Sequence, residues 1–425
     1  MNSRNPLRSR RLCRSLALAF GLAAESAHAS SVTSCADDGS AGTLRSLIAS
    51  ASNNAVIDLA ACNLITLTKG ELKVPVSVTL QGSTSPVTVL DANFGGRALH
   101  STSVSSSNRS LTLKHIDLVD GLVSSMGTPA YGGCIMASTV TLDSSTVNNC
   151  EADSDSGVFG GAIYADAVYV NKSTVESSRA HSSSNSTAGG GAIFAVTTVQ
   201  CVDGMIRRNS ALTDSQDFGE GGGIYVALGD VGLVRCSMDS NIAQRGGAIF
   251  QTGSNGVALT NSTVSGNHAS LFGAVTSVAQ VVLNNSTIAF NQADSRCGGI
   301  YAQSGVIAQS SIVANNQSGD PSCIDLDVAA GSSITGANNL ISAVTTAVPA
   351  DTIVADPLLT PLVLRGGYSL VHALSQSSPA LNHGNNPLSL STDQRGSPRL
   401  SGSSVDIGAF ERQPDDDEIF YGGFL

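Results

Sequence analysis

Apolar and polar positions recur in a fixed order along residues 132–317. A glycine-led start returns as GGCIM (132–136), GGAIY (160–164), GGAIF (190–194), GGGIY (221–225), GGAIF (246–250), FGAVT (272–276) and CGGIY (297–301). Its second residue is Gly133, Gly161, Gly191, Gly222, Gly247, Gly273 or Gly298, at spacings of 28, 30, 31, 25, 26 and 25. Each start opens a β-rich alternating run. A second block follows, with an apolar residue at Val147, Val175, Ile206, Met238, Val264, Ile288 and Ile312. Three residues beyond each stand Cys150, Ser178, Asn209, Asn241, Asn267, Asn291 and Asn315. Two markers in constant order at a period near 25 predict a solenoid with one coil per repeat. The Leu framework of a leucine-rich repeat is absent, and a propeller blade needs a period of about 40.

The predicted fold is all-β: a right-handed parallel β-helix with a short N-terminal capping helix and an irregular C-terminal cap. Ile135, Ile163, Ile193, Ile224, Ile249, Val275 and Ile300 should stack in one interior file, each burial contributing roughly 1.5–3 kcal/mol. Asn209, Asn241, Asn267, Asn291 and Asn315 should form a structural ladder at a turn, each amide bonding its neighbours. The paired glycines suit a corner that needs positive φ. The N-x-S/T sequons at Asn171, Asn261 and Asn285 arise from the same repeat and are read as register.

The repeat sets the organisation. Residues 1–29 read as a signal peptide, 30–130 as an N-terminal cap and first coils, and 131–318 as regular coils. Residues 319–412 read as final coils and a C-terminal cap, and 413–425 as a solvated acidic linker and tail. Within the first part, Leu44, Leu47, Ile48 and Ala51 follow a helical period. Strands are expected at 322–327, 338–341 and 352–359.

Composition fits stacked strands. Charged residues are 13% and aromatics 4%, there are 44 Gly and no Trp, and 41% of the chain is hydrophobic, too much for a disordered chain. The formal charge of −11, without a basic stripe, argues against nucleic-acid binding. Arg4, Arg8, Arg10, Arg11 and Arg14 precede the apolar stretch 15–24, and Ala27-His28-Ala29 gives a small-x-small pattern. Cleavage is expected between Ala29 and Ser30. It would remove those five Arg and Glu25, leaving a mature charge of −15. Ten apolar residues are too few to span a bilayer, so no transmembrane segment is expected in the mature chain.

Eight cysteines remain beyond the signal: Cys35, Cys62, Cys134, Cys150, Cys201, Cys236, Cys297 and Cys323. An even number in an exported chain points to disulfides. About 105 connectivities are open, and Cys35 with Cys62 is favoured because both lie in the N-terminal segment. No CxxC or His cluster suggests zinc.

The GGAIY and STVSGN-like units, GTLRSLIASA (42–51), LRGGYSLVHALSQSSPALNHGN (364–385) and TDQRGSPRLSGSSVDIGAFE (392–411) resemble choice-of-anchor Q domain proteins. These are bacterial surface β-helix proteins related in pattern to polymorphic outer-membrane protein repeats. The resemblance covers nearly all of the mature chain. It implies a parallel β-helix, export and, usually, no established enzymatic activity. Here FGAVT lacks the first Gly and the aromatic, and NHGNN (382–386) replaces the more usual Asp-Ala-Gly ending. No LPxTG-type anchor motif is present.

Parallel β-helices also carry polysaccharide lyases and hydrolases, the alternative function. Such enzymes need paired carboxylates, or a calcium cluster with a base. Asp117 and Asp120, near His115 and Lys114, find no aligned partners on the next coils. Asp153 with Asp155 and Asp325 with Asp327 read as solvated turns. His268 reads as a surface residue, and His372 and His383 as cap hydrogen-bonding residues. Asp393, Arg395 and Arg399 read as capping groups. No GxSxG elbow occurs. No catalytic, cofactor or metal residue is assigned. The expected function is an exported structural or adhesive monomer, secreted or at the cell surface. Its Ser/Thr/Asn-rich face would bind an extracellular glycan or a surface protein. The insertions at 122–131, 153–158, 181–188 and 212–219 are expected to cluster along one edge as the recognition surface.

Overall fold

A computed structural model describes residues 29–101, 109–215 and 218–416. The chain winds into a parallel β-helix of about eleven turns, and its one helix among the described residues is Leu44–Ala49. Three parallel sheets of 19, 11 and 12 strands run its length. The 19-strand sheet, the broad face, holds two adjoining ladders. They are fused within the long strands Ile135–Asp143, Ile163–Asn171 and Ile193–Val202, and separate elsewhere.

The glycine-led starts align in register: Ile135, Ile163, Ile193, Ile224, Ile249, Val275 and Ile300 pair in sequence and are buried. The second blocks form the 11-strand sheet, where Val147, Val175, Ile206, Met238, Val264 and Ile288 line the same core. One residue departs from the expectation. Ile288 pairs with Val313, not Ile312. Val313 belongs to the axial core, whereas Ile312 faces outward into a second apolar cluster with Leu340, Val371, Leu374, Ile407 and Phe410. A one-residue shift exchanges the two faces of a strand. Asn315 is therefore not in the ladder. It takes the left-handed corner conformation (φ 58°), like Phe290 (φ 57°) one coil earlier.

The ladder runs through Asn209, Asn241, Asn267, Asn291 and Asn316. The Oδ1 of each of the last four accepts both the backbone N–H and the side-chain N–H of the preceding Asn at 2.9–3.1 Å. Asp325 terminates it, accepting from Asn316 Nδ2 at 2.9 Å, Ser342 Oγ at 2.8 Å and the Ala343 amide. Asp325 is fully buried rather than solvated, and burial raises its pKa. A second ladder follows the opposite corner, where Ser145, Ser173, Ser262, Ser286 and Ser311 each accept the N–H of the coil before through Oγ.

The paired glycines serve two purposes. Gly160, Gly190 and Gly221 hold positive φ. Gly161, Gly191 and Gly222 do not, but a Cβ there would lie 2.1–2.3 Å from a carbonyl oxygen of the next coil.

The C-terminal region does more than close the end. After Leu340–Ile341 the chain turns back and lies along the outer face of the 11-strand sheet. Ser369 bonds the Arg235 carbonyl, Gln394 bonds Thr263, and the Ala409 amide bonds Thr287. The strands Ser237–Asp239, Thr263–Ser265, Thr287–Ala289 and Ile312–Ala314 are consequently buried on both faces. Residues 352–359 contribute only isolated bridges at Ile353 and Leu359. The sequon residues Asn261 and Asn285 are buried and donate to the carbonyls of Thr392 and Asn385, tying the returning chain to the coils.

Four disulfides join Cys35–Cys62, Cys134–Cys150, Cys201–Cys236 and Cys297–Cys323. They point to an oxidising extracellular environment. No helix among the described residues is long and apolar enough to cross a membrane.

Candidate functional site

The insertions lie side by side. Their outgoing strands Leu122–Ser125, Glu151–Ser154, Arg179–Ser182 and Ser210–Thr213 pair in parallel. So do the returning strands Ala130–Tyr131, Val158–Phe159, Ala188–Gly189 and Gly219–Glu220. Together they make a lateral fin. Small residues allow its two layers to meet: Ala130, Ala152, Val158, Ala180 and Ala188 form its buried interior with Val123. Charges on the fin are matched between coils. Arg179 reaches Glu151 at 2.7 Å, and His181 stands between Asp153 (3.3 Å) and Asp214 (3.0 Å). His268 is half-buried and bonds Asp294 at 2.9 Å.

Where the fin leaves the broad face, aromatic rings fill the corner. The fifth residue of each start points outward, because it follows an inward Ile in an alternating strand. Tyr164, Phe194, Tyr225 and Phe250 thus come into register on consecutive coils. Adjacent ring centroids are 5.4, 4.8 and 5.5 Å apart and nearly parallel. Tyr131 and Phe159 of the fin pack edge-on against Tyr164 and Phe194 at 4.9 and 5.1 Å. The file then breaks at Thr276, and Phe272 and Tyr301 form a separate stacked pair at 5.2 Å. Phe194 is buried and the other rings are partly buried, each keeping a limited exposed margin. Stacking satisfies their faces, so edges and hydroxyls are what remain for solvent. Burial raises the Tyr164 and Tyr225 pKa values, keeping both phenols protonated.

Thr252 lies beside the file, 3.5 Å from the Tyr225 hydroxyl, while Gln200 and Asp230 bond each other farther along the broad face. Asp166 has its pKa raised by burial. Burial also raises that of Glu220, partly offset by Arg245 at 3.3 Å. The corner thus joins an apolar strip to polar margins with an acidic bias.

The other residues singled out in the sequence fall elsewhere. Residues 1–28, most of the expected signal peptide, lie outside the described residues, as does the tail from 417. Ala29 precedes the first strand, and Ser30 opens it, pairing with Ile57. Asp120 accepts from Asn149 Nδ2, Asp143 lies 3.7 Å from Lys114, and Asp155 accepts the Gly127 amide. Asp327 pairs with Arg296 at 3.3 Å. Cys297, Cys323 and Asp327 form a metal-like cluster, but its two sulfurs are bonded to each other. His383 is exposed. His372 is buried, bonded to Ser265 and to the Thr360 carbonyl.

Asp393, Arg395 and Arg399 build a buried charge network along the returning chain. Arg395 lies 2.9 Å from Asp393, 2.7 Å from Asp416 and 3.8 Å from the Phe410 ring centroid. Asp416, expected in a solvated linker, is buried because Arg395 pairs with it. Arg399 donates to the carbonyls of Asp406 and Gly408.

Sequence reading missed the aromatic file and the serine ladder. Both were signalled: the aromatics by the fifth position of the starts, the serines by the residue preceding Thr or Ile in five of the seven second blocks.

No family model matches the chain, and no curated protein matches it. Among solved structures, the crystal structure of pectate lyase Pel9A is similar. It has 13% identity and a TM-score of 0.46, covering 91% of this chain and 97% of that one.

Proposed function

We propose that this chain is an exported structural or adhesive protein of the choice-of-anchor Q type that binds an extended glycan along the aromatic corner. The observation that carries the reading is the file Tyr164–Phe194–Tyr225–Phe250, one ring per coil, bordered by the fin on one side and hydrogen-bonding side chains on the other. An extended sugar chain is amphipathic in the same sense, with apolar C–H surface between hydroxyl margins. The coil rise of about 4.8 Å is comparable with the length of one pyranose unit. Many weak contacts on a preformed surface cost little ordering entropy. Asp166 beside the file and the net negative charge of the chain, −11 over the full sequence, disfavour a polyanion, so the ligand is a neutral or amino-bearing glycan rather than a polyuronate. The oxidising compartment implied by four disulfides is where such a polymer would be met. The signal peptide ending at Ala29 supplies the export route, and the folded chain acts as a monomer.

The test is retention of the protein on immobilised neutral, amino-bearing and uronate polysaccharides. Tyr225→Ala and Phe250→Ala should each weaken retention about 2- to 10-fold, in line with the 0.5–1.5 kcal/mol that one aromatic contact adds beyond its buried area. Substituting Tyr368, an exposed aromatic on the returning chain, should change nothing. Equal retention of all variants, or preference for the uronate polymer, would remove the basis of the reading.

A further inference from the structure

The returning chain creates a site of its own on the 11-strand sheet. Ser265, at the end of the strand Thr263–Ser265, places its Oγ 2.8 Å from His372 Nε2. The other imidazole nitrogen, Nδ1, lies 2.7 Å from the Thr360 carbonyl oxygen. A carbonyl can only accept, so Nδ1 carries the proton and Nε2 presents its lone pair to the serine hydroxyl. The ring is held from the side by Phe290, 5.0 Å away. Burial lowers the His372 pKa, which keeps the imidazole neutral and basic at neutral pH.

Ser265 and His372 are only 2% and 5% exposed, and both line a cavity of about 440 Å³ between the coils and the returning chain. Phe290, Leu359, Pro361 and Leu362 give it apolar walls. Gly266, the residue following Ser265, also lines it, at φ 64°. Asp239 lines it too: this side chain is 4% exposed and its Oδ1 has no hydrogen-bond partner. An unsatisfied buried carboxyl oxygen in a cavity is a group awaiting a donor.

We propose that Ser265 and His372 form a nucleophile–base pair that hydrolyses uncharged carboxylic esters with a small apolar acyl group. The Thr360 carbonyl takes the orienting position that a carboxylate holds in a serine–histidine–aspartate triad. Ser265 Oγ adds to the ester carbonyl carbon while its proton passes to Nε2. The tetrahedral adduct then breaks its C–O bond to the alcohol, which leaves with the proton returned from Nε2. Acyl-Ser265 remains. Water gives a proton to Nε2 as its oxygen adds to the acyl carbon; the second adduct then breaks its bond to Ser265 Oγ, which takes the proton back from Nε2, and the carboxylic acid leaves. The Gly266 amide is the candidate oxyanion donor, in the place next to the nucleophile. Asp239 disfavours anionic acyl groups, and its free oxygen can accept from a hydroxyl on the alcohol portion.

The test uses the whole chain and a fluorophosphonate probe, followed by peptide mass mapping. The expected result is one phosphonylated serine, Ser265. Hydrolysis of 4-nitrophenyl acetate and butyrate should fall about 10²–10⁴-fold in Ser265→Ala and His372→Gln. The wild-type rate should be level at neutral pH and fall on the acid side, with its inflection below the ordinary histidine range, as His372 gains a proton. Asp239 lines the cavity and Arg207 lies 3.5 Å behind it, so Asp239→Asn should change selectivity between neutral and anionic acyl groups. Labelling needs no variant to fold. A folded wild-type protein whose Ser265 stays unmodified, or ester hydrolysis equal in wild type and Ser265→Ala, would overturn the proposal and leave this contact as a pin for the returning chain.

Discussion

Two neighbouring asparagines show how strictly the solenoid assigns roles. Asn291 donates through Nδ2 to Asn316 Oδ1 and to the Val264 and Ala289 carbonyls, and its Oδ1 accepts twice from Asn267, all out of water. Asn315 sits one place outside the ladder and bonds Asp356 at an exposed corner. Asn291→Ala leaves buried partners unsatisfied and should cost about 1–3 kcal/mol or more. Asn315→Gly, which keeps the positive φ, should cost only about 0.5 kcal/mol. Urea denaturation of both variants checks the difference.

Glu411 gives a second residue-level expectation. Burial, with the adjacent Asp406, raises its pKa to about 7, despite backbone hydrogen bonds from Asp406 and Ser401. The folded state therefore holds this proton more tightly than the unfolded chain, whose Glu titrates near 4.5. Its stabilising effect is complete below pH 4.5 and is lost as pH rises through about 7. Comparing wild type with Glu411→Gln by denaturation at pH 4.5 and 8 should show the variant losing less stability over that interval.

The same logic applies to whole elements. Most starts use Gly twice, once for conformation and once for clearance, whereas Phe272 and Cys297 hold the first place in two of them. Gly191 is the clearance case, since a methyl there would meet the Gly222 carbonyl 2.2 Å away. Gly191→Ala should destabilise by about 1–3 kcal/mol or more, read as a lower midpoint in thermal unfolding. The coil elements were legible in the sequence because they repeat: seven starts index one another, and an inward isoleucine fixes every outward neighbour. The index failed at SSIVANN (310–316), where Ile312 and Val313 are both apolar because both faces are covered, and periodicity cannot say which one faces the axis. The returning chain was legible only as a C-terminal unit. Its contacts with the coils span more than 100 residues, as in Gln394 to Thr263 and Ala409 to Thr287, and no repeat encodes them. The buried Asn261 and Asn285 were in view, but only the structure supplies their partners.

At the scale of the molecule, the solenoid divides its flanks. One flank of the 11-strand sheet is closed by the returning chain with its charge network and the Ser265–His372 cavity. The 12-strand sheet carries the fin and borders the aromatic corner, open along the axis. Periodic burial holds the coils together, and the same periodicity places a ring on each of four consecutive coils, from Tyr164 to Phe250. A ligand that follows the axis should gain contacts coil by coil. The most direct measurement is calorimetric titration of the whole protein with a length series of one neutral or amino-bearing oligosaccharide. Affinity should rise with each added sugar until the chain spans those four coils and then level off, with the rise removed in Tyr225→Ala. Affinity independent of length, or a length dependence that survives Tyr225→Ala, would contradict a binding surface laid along the corner.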